Sequence, residues 1–387
     1  MPDVRRILLV GLLVSVARWL EMLVIGVLVW QQTSSAFLVA MMTLLRLLPM
    51  GIFGAFLGVA SDRVQRRSAL ILMLWVQAAT AAGLAGLAHW DALAVWHLAV
   101  ASFVAGIVWG ADNPVRRMLL GEVVGAARMA TAMSLDVVAN NASRIAGPAL
   151  GGTVLAAAGV GAPFLLSLGL YVAAALAALR LAHRSTVAPP RGTVFREMRD
   201  SFGLVLRIPG MAGVMVVTLI FNLFGWPAGS MVPVIGQADL RLDAAGVGLL
   251  AGMDGLGALV GALLLVPLVR PRWYRAIYAG GAAMFCGMFV VFALVGRPVP
   301  AAMALLLVGV GSAGFAAMQA TLVYTTAPPA LRSRALGVLS ACIGLGLLGF
   351  LHLGLMANWL GAATATAVIG VEGLLALALT RRWWGRA

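Results

Sequence analysis

Ionisable side chains sit inside stretches that are otherwise almost wholly apolar, among them Arg18, Glu21, Arg46, Asp136, Arg144, Asp254, His352 and Glu372. Inside a hydrocarbon layer such groups are expensive and mark functional positions by default. Their types allow two kinds of chemistry. A carboxylate withdrawn from water favours its protonated form, so a deeply placed Glu21 or Asp254 is suited to take up and release a proton near neutral pH. A guanidinium in the same setting can hold a carboxylate or an anionic solute. Arg18, Arg46 and Arg144, with Asn141 and Phe221, are therefore the candidates for lining a cavity. A structural reading stands beside this one. Arg18 and Glu21 lie on one helical face, spaced to pair with each other, and Asp254 could be satisfied by another polar group. Asp136 and Glu372 are expected nearer the membrane surfaces, and His352 reads as a packed core histidine rather than a ligand.

Other chemistries lack their usual residues. The sequence has no HExxH, no paired-aspartate motif, no CxxC and no Walker-type phosphate loop, which argues against an enzyme and against an ATP-driven pump. Cys286 and Cys342 lie in apolar stretches, so neither a disulfide framework nor a metal cluster is expected, and no cofactor is implied. A formal net charge of +14 would suggest nucleic acid in a soluble chain, but it comes wholly from arginine, and the arginines are placed for a membrane.

The elements that must position these groups follow from composition. The chain has 387 residues, 62% hydrophobic and 10% charged, with a mean hydropathy of +1.02. Apolar stretches of about 20 residues recur throughout, the length that crosses a hydrocarbon core of roughly 30 Å. Between charged and Pro/Gly breaks they fall at roughly 7–31, 36–60, 69–89, 93–115, 131–155, 160–181, 209–235, 244–269, 275–296, 299–323, 334–357 and 360–380. The expected fold is an all-α membrane protein of twelve transmembrane helices in two pseudo-symmetric six-helix halves; the short alternating segments of a β-barrel are missing. Sorting the arginines on this frame puts 22 on one side and only Arg241 and Arg297 on the other, which places both termini in the cytoplasm. The basic start Met1–Arg6 is followed by an apolar run too long for a cleavable signal.

The longest polar stretch, His183 to Arg207, divides the chain into a half at 1–182, a linker at 183–207 and a half at 208–387. Within the linker, Phe195, Met198, Phe202 and Leu206 at helical spacing predict an amphipathic helix lying on the membrane face. The halves echo each other: a shift of 203 places Gly54 and Gly58 on Gly257 and Gly261, and Arg67 on Arg270. Two related halves with a site at their interface near the midplane are a transporter architecture.

Three motifs sharpen this. GVASDRVQRRSAL, 58–70, resembles the major facilitator superfamily signature called motif A: Gly58, Asp62, Arg63, Arg66, Arg67 and Leu70 match, with Ala60 for the usual leucine and Gln65 for the usual glycine. The resemblance implies a gate. In it Asp62 faces the N-terminus of the helix after Arg334, Gly58 and Gly54 permit close helix approach, and the arginines bridge to acids or anionic headgroups. As plain positive-inside anchors, the three arginines would need no such role. ASRIAGPALGG, 142–152, resembles the antiporter motif of drug:proton antiporters through Gly147, Pro148, Gly151 and Gly152, with Ser143 for the first glycine. ADNPVRRMLLGEVV, 111–124, together with Asn140, Asn141, Arg144 and LRSRALGVLS, 331–340, resembles the 12-span branch that includes enterobactin-exporter-like and macrolide-efflux-like proteins. The arginine-bearing motif that other drug exporters carry in the fourth span is not recognisable in 93–110.

The resemblance implies a monomeric, proton-coupled exporter of small amphipathic molecules, working by alternating access. Its partners would be a small-molecule substrate, protons and membrane lipids, with no nucleic acid. Trp19, Trp30, Phe221, Phe224 and Trp226 could touch such a substrate, although Trp30 and Trp226 equally suit an interfacial belt, and Trp383 and Trp384 read as belt residues. Export of a siderophore or other anionic metabolite would better use three intramembrane arginines, and a lipid or lysophospholipid flippase of the same fold is the third option. Wealth in alanine, glycine and arginine points to a GC-rich bacterium, hence to the cytoplasmic (inner) membrane.

Overall fold

The computed structural model describes residues 2–63, 65–125, 128–183, 203, 208, 210–328 and 331–384, without the side chains of 51–63, 130, 266–268 and 333. The expected amphipathic helix around Phe195 to Leu206 lies outside the described residues. Among those described, every regular element is helical: α1 (Pro2–Thr33), α2 (Ala36–Arg63), α3 (Arg66–His89), α4 (Val95–Val124), α5 (Met129–Ala158), α6 (Gly161–Leu179), α7 (Met211–Ile220), α8 (Val232–Ala238), α9 (Ala244–Leu268), α10 (Tyr274–Leu294), α11 (Pro298–Thr326), α12 (Arg332–Gly344), α13 (Leu347–Leu360), α14 (Ala362–Leu379) and the short α15 (Arg381–Trp384). Ten apolar segments are long enough to cross a membrane. The apolar start of α2 at Ala36–Met50 and the polar-spotted α5 complete a series of twelve, the architecture of a major facilitator fold.

Three local features explain the path of the chain. α5 and α13, which end the fifth and eleventh spans, each stop at a glycine in the left-handed region, Gly159 at φ 79° and Gly361 at φ 82°. Glycine adopts that conformation without steric cost and ends helices for this reason. The seventh span is broken: after α7 comes a π-helical turn over Phe221–Gly225, then a 3-10 stretch over Trp226–Met231, then α8. Pro227 and Pro233 stand in the first turns of the 3-10 stretch and of α8, where an N–H has no intrahelical acceptor and proline's fixed φ suits a helix start, so each opens a new segment after the break. α4 differs from expectation by continuing to Val124 rather than ending near 115. Its apolar side carries on through Leu119 and Leu120, both fully buried, so the helix gains core contacts by extending.

By its contacts the described chain forms two compact units. The first comprises Met1–Ser34, Leu45–Arg191 and Asp243–Gly252; the second comprises Ser35–Leu44, Gly192–Leu242 and Met253–Ala387. Val10, Val14 and Ala17 of α1, Leu70 and Leu74 of α3, Leu119 of α4 and Tyr171, Ala174 and Ala178 of α6 form the core of the first unit. In the second, α10 and α11 cross so closely that a Cβ at Gly281 would stand 2.6 Å from the Gly311 carbonyl oxygen. Small residues at such crossings let backbones meet in a membrane, where packing rather than water drives association.

Candidate functional site

Six of the ionisable groups come together inside the first unit. Arg18 and Glu21 project from α1, Arg46 from α2, Asp112 and Arg116 from α4, and Asp136 from α5; each is only 2% to 7% exposed. Arg46 Nη2 donates to Glu21 Oε2 at 3.2 Å, and its Nη1 reaches the Arg18 carbonyl oxygen at 3.4 Å. The Tyr171 hydroxyl of α6 donates to the same Glu21 oxygen at 3.2 Å, and Gln77 of α3 lies 3.4 Å behind that hydroxyl. Arg18 Nη2 donates to Asp112 Oδ2 at 3.1 Å. Arg116 Nε lies 3.7 Å from that oxygen, and its Nη1 donates to Asp136, which also accepts from Arg117 Nε at 3.2 Å. Two glycines make this possible. Gly11 leaves the slot in which the Arg116 guanidinium lies, and Gly106 lets α4 touch the backbone of α2 at Arg46.

The expected pairing of Arg18 with Glu21 is therefore corrected. Each takes its partner from another helix, because opposite charges there can meet head to head while i,i+3 neighbours on α1 diverge toward α4 and α2. Arg116, placed in a cytoplasmic loop by the sequence, is instead a buried member of the network on the extended α4. Glu372 lies mid-way along α14 rather than near a surface, and its Oε2 is 2.9 Å from His352 Nε2. His352 is thus a bonded, partly exposed side chain rather than a packed core residue, its side chain 43% exposed. Asp112 and Tyr171 were missed as site residues. The signals were present: Asp112 precedes Arg116 by one turn, and Tyr171 is the one hydroxyl-bearing ring in an otherwise apolar helix.

Around the network lie indoles. The Arg18 guanidinium stands 4.9 Å from the Trp109 ring centroid and that of Arg144 stands 5.5 Å from Trp19, while the two indoles meet edge to face at 6.3 Å. Such cation–π contacts hold guanidinium planes against aromatic faces. Asn141 is half-buried one turn before Arg144. The glycines of the ASRIAGPALGG stretch are packing surfaces: a Cβ at Gly147 would stand 2.7 Å from Trp19 Cβ, and one at Gly151 3.0 Å from Leu20 Cγ. Gly152 meets Gly248 in the first turns of α9, and Gly252 approaches the Ile145 carbonyl oxygen. Of the GVASDRVQRRSAL stretch, Arg66 pairs with Glu122 and Arg67 Nη2 donates to the Leu179 carbonyl oxygen at 2.7 Å, tying α3 to the ends of α4 and α6. The side chains of Gly58, Asp62 and Arg63 lie outside the described residues.

In the second unit the broken seventh span carries the other polar cluster. The Thr218 and Tyr278 hydroxyls are 2.6 Å apart, Tyr278 donates to the Val214 carbonyl oxygen at 3.0 Å, and Gln319 Nε2 donates to Thr218 Oγ1 at 3.2 Å. Beside them Phe221 stacks on Phe315 with centroids 3.8 Å apart, which puts this cavity candidate within a packed aromatic group. Asp254, on α9, is partly exposed, and Gly309 of α11 packs on its backbone carbonyl. Among the described residues no cluster of His, Cys, Asp and Glu is placed to hold a metal ion.

Twelve spanning helices, broken spans and a buried charge network define a polytopic membrane transport protein. The family model of the Major Facilitator Superfamily matches residues 7–351, and the chain belongs to that superfamily. No match was found among curated proteins. Solved structures of similar fold include the nucleoside transporter NupG, with a TM-score of 0.80 at 12% identity over 99% of this chain and 100% of that one. A POT family transporter in complex with 5-aminolevulinic acid gives 0.81 at 11% identity over 99% and 96%. The human organic anion transporter TETRAN gives 0.67 at 15% identity over 98% of each chain. At these identities the likeness is one of fold.

Proposed function

We propose that the chain is a proton-coupled exporter of small amphipathic molecules, with Glu21 as proton carrier and Arg46 as its counter-charge. One observation carries the reading: a buried carboxylate within a spanning helix, 3.2 Å from one guanidinium and 3.2 Å from one phenol. A proton arriving on Glu21 leaves the Arg46 charge uncompensated in a dry site, a penalty of about 3–5 kcal/mol. Its departure restores the pair. Such a difference between protonation states is what a ligand needs in order to bias two conformations. Asp254 is the second candidate carrier.

Export is supported by the antiporter-like stretch, whose Gly147, Gly151 and Gly152 act as close-packing positions against α1 and α9. An amphipathic substrate is favoured over an anionic one because two of the three intramembrane arginines are already committed to carboxylates, Arg18 to Asp112 and Arg46 to Glu21. The arginine asymmetry supports a bacterial inner-membrane location with both termini inside. Inverted membrane vesicles with an imposed proton gradient, offered dyes, macrolides and catecholates, test the reading. Dye or macrolide uptake abolished by a protonophore is expected; uptake that ignores the gradient contradicts it.

A further inference from the structure

His352 of α13 and Glu372 of α14 are set apart from the charge network of the first unit. Glu372 stands roughly 15 Å from one end of its helix and 10 Å from the other, at a rise of about 1.5 Å per residue. At that depth its Oε2 meets His352 Nε2 at 2.9 Å. The His352 and Glu372 side chains are nevertheless 43% and 34% exposed, whereas the Arg46–Glu21 pair is almost wholly enclosed. What surrounds them is not polar. Leu348, Leu351 and Leu355 of α13 and Val371 and Leu375 of α14 are all large, apolar and exposed.

The other faces of both helices are occupied within the second unit. A Cβ at Gly349 would run into the Leu223 carbonyl oxygen, and one at Gly354 would stand 3.1 Å from Phe37 and 3.2 Å from Ala40 of α2. On α14, Gly370 and Gly373 pack as closely against Val290 and Cys286 of α10. The His352–Glu372 pair sits on the face that remains, amid the apolar strip. Holding an acid and a base against acyl chains is costly. Polar side chains at such depth gain most by bonding across to a neighbouring spanning helix.

We propose that this face is where two copies of the chain meet in the membrane. The patch is complementary to itself. It carries one acid and one base side by side, so a two-fold axis between copies sets the His352 of each against the Glu372 of the other. An isologous contact of this kind closes on itself and stops at the dimer. The exposed leucines and Val371 of both copies then pack around the four polar groups. A partner with only acids or only bases on its face would satisfy half of the patch. The dimer departs from the monomer that the resemblance implies, and it does not depend on the proton-coupling reading.

The test is single-molecule photobleaching of the full chain, carrying one fluorophore per copy, in liposomes over a range of protein-to-lipid ratios. Two-step bleaching that grows with protein density is expected. His352→Leu/Glu372→Leu swaps the pair for side chains that acyl chains solvate. It should weaken dimerisation about tenfold, the effect of losing two interhelical hydrogen bonds. Should that variant fail to fold, oxidative cross-linking decides. Leu355→Cys, one turn from His352, should yield a disulfide-linked dimer. Leu165→Cys, also exposed but on α6, should not, nor should the unaltered chain with its buried Cys286 and Cys342. One-step bleaching at every density would leave the patch to a lipid or another protein and overturn the proposal. So would two-step bleaching that the double substitution leaves unchanged, or cross-linking no stronger at 355 than at 165.

Discussion

Arg46 of α2 holds Glu21 of α1 at 3.2 Å, although Arg18 stands on the same helix one turn before that carboxylate. The partner exchange makes each bond a tie between helices. Glu21→Ala leaves a buried guanidinium unpaired and is expected to destabilise the protein by about 3–5 kcal/mol, whereas Glu21→Met with Arg46→Met returns most of that loss. Unfolding in detergent, read as a double-mutant cycle, measures the coupling. Additive single effects would show that the pair is not formed.

Asp112 serves two arginines, Arg18 at 3.1 Å and Arg116 at 3.7 Å. Asp112→Ala should therefore cost about 3–5 kcal/mol. Arg18→Gln leaves Asp112 with Arg116 and should cost about 1–3 kcal/mol. The same unfolding measurement ranks them, and a reversed order would remove Asp112 from the centre of the network.

Gly152 and Gly169 separate packing from composition. A side chain at 152 would run into Ala244 and Gly248 at the start of α9, while nothing lies within 4 Å of one at 169. Gly152→Leu should abolish vesicle transport with the protein still inserted, and Gly169→Leu should leave the rate unchanged. Equal tolerance at both positions would contradict the close-packing role given to the stretch.

Tyr278→Phe removes a hydroxyl that Thr218 shares with the Val214 carbonyl oxygen. Because Thr218 keeps its own bond to that carbonyl, the loss should be only about 1 kcal/mol. Phe315→Ala opens the stack between Phe221 and Tyr278 and should cost about 3–5 kcal/mol. Thermal unfolding of the two variants checks the contrast.

Spans were legible because each apolar run carries its own length and each arginine turn its own side; both signals are local. The ends of α4 were not, since whether Arg116 leaves a helix depends on the slot that Gly11 opens on α1, a hundred residues earlier. Ion-pair partners were illegible for the same reason. Spacing on α1 favoured Arg18 with Glu21, but the distance between α1 and α2 decides, and no local pattern encodes it. Tyr171 stood out only as a polar ring in a greasy helix, and its bond to Glu21 spans 150 positions. The seventh span was expected as one helix over 209–235, and its break was not legible: the π-helical turn at Phe221–Gly225 precedes both Pro227 and Pro233.

The central claim is that Glu21 carries the coupling proton. Proteoliposomes with a trapped pH indicator, energised by a substrate gradient, report proton movement directly. The account predicts substrate-driven proton flux in the unaltered protein and none above the leak of protein-free liposomes in Glu21→Gln, with substrate binding retained. Proton flux that persists in Glu21→Gln would contradict it.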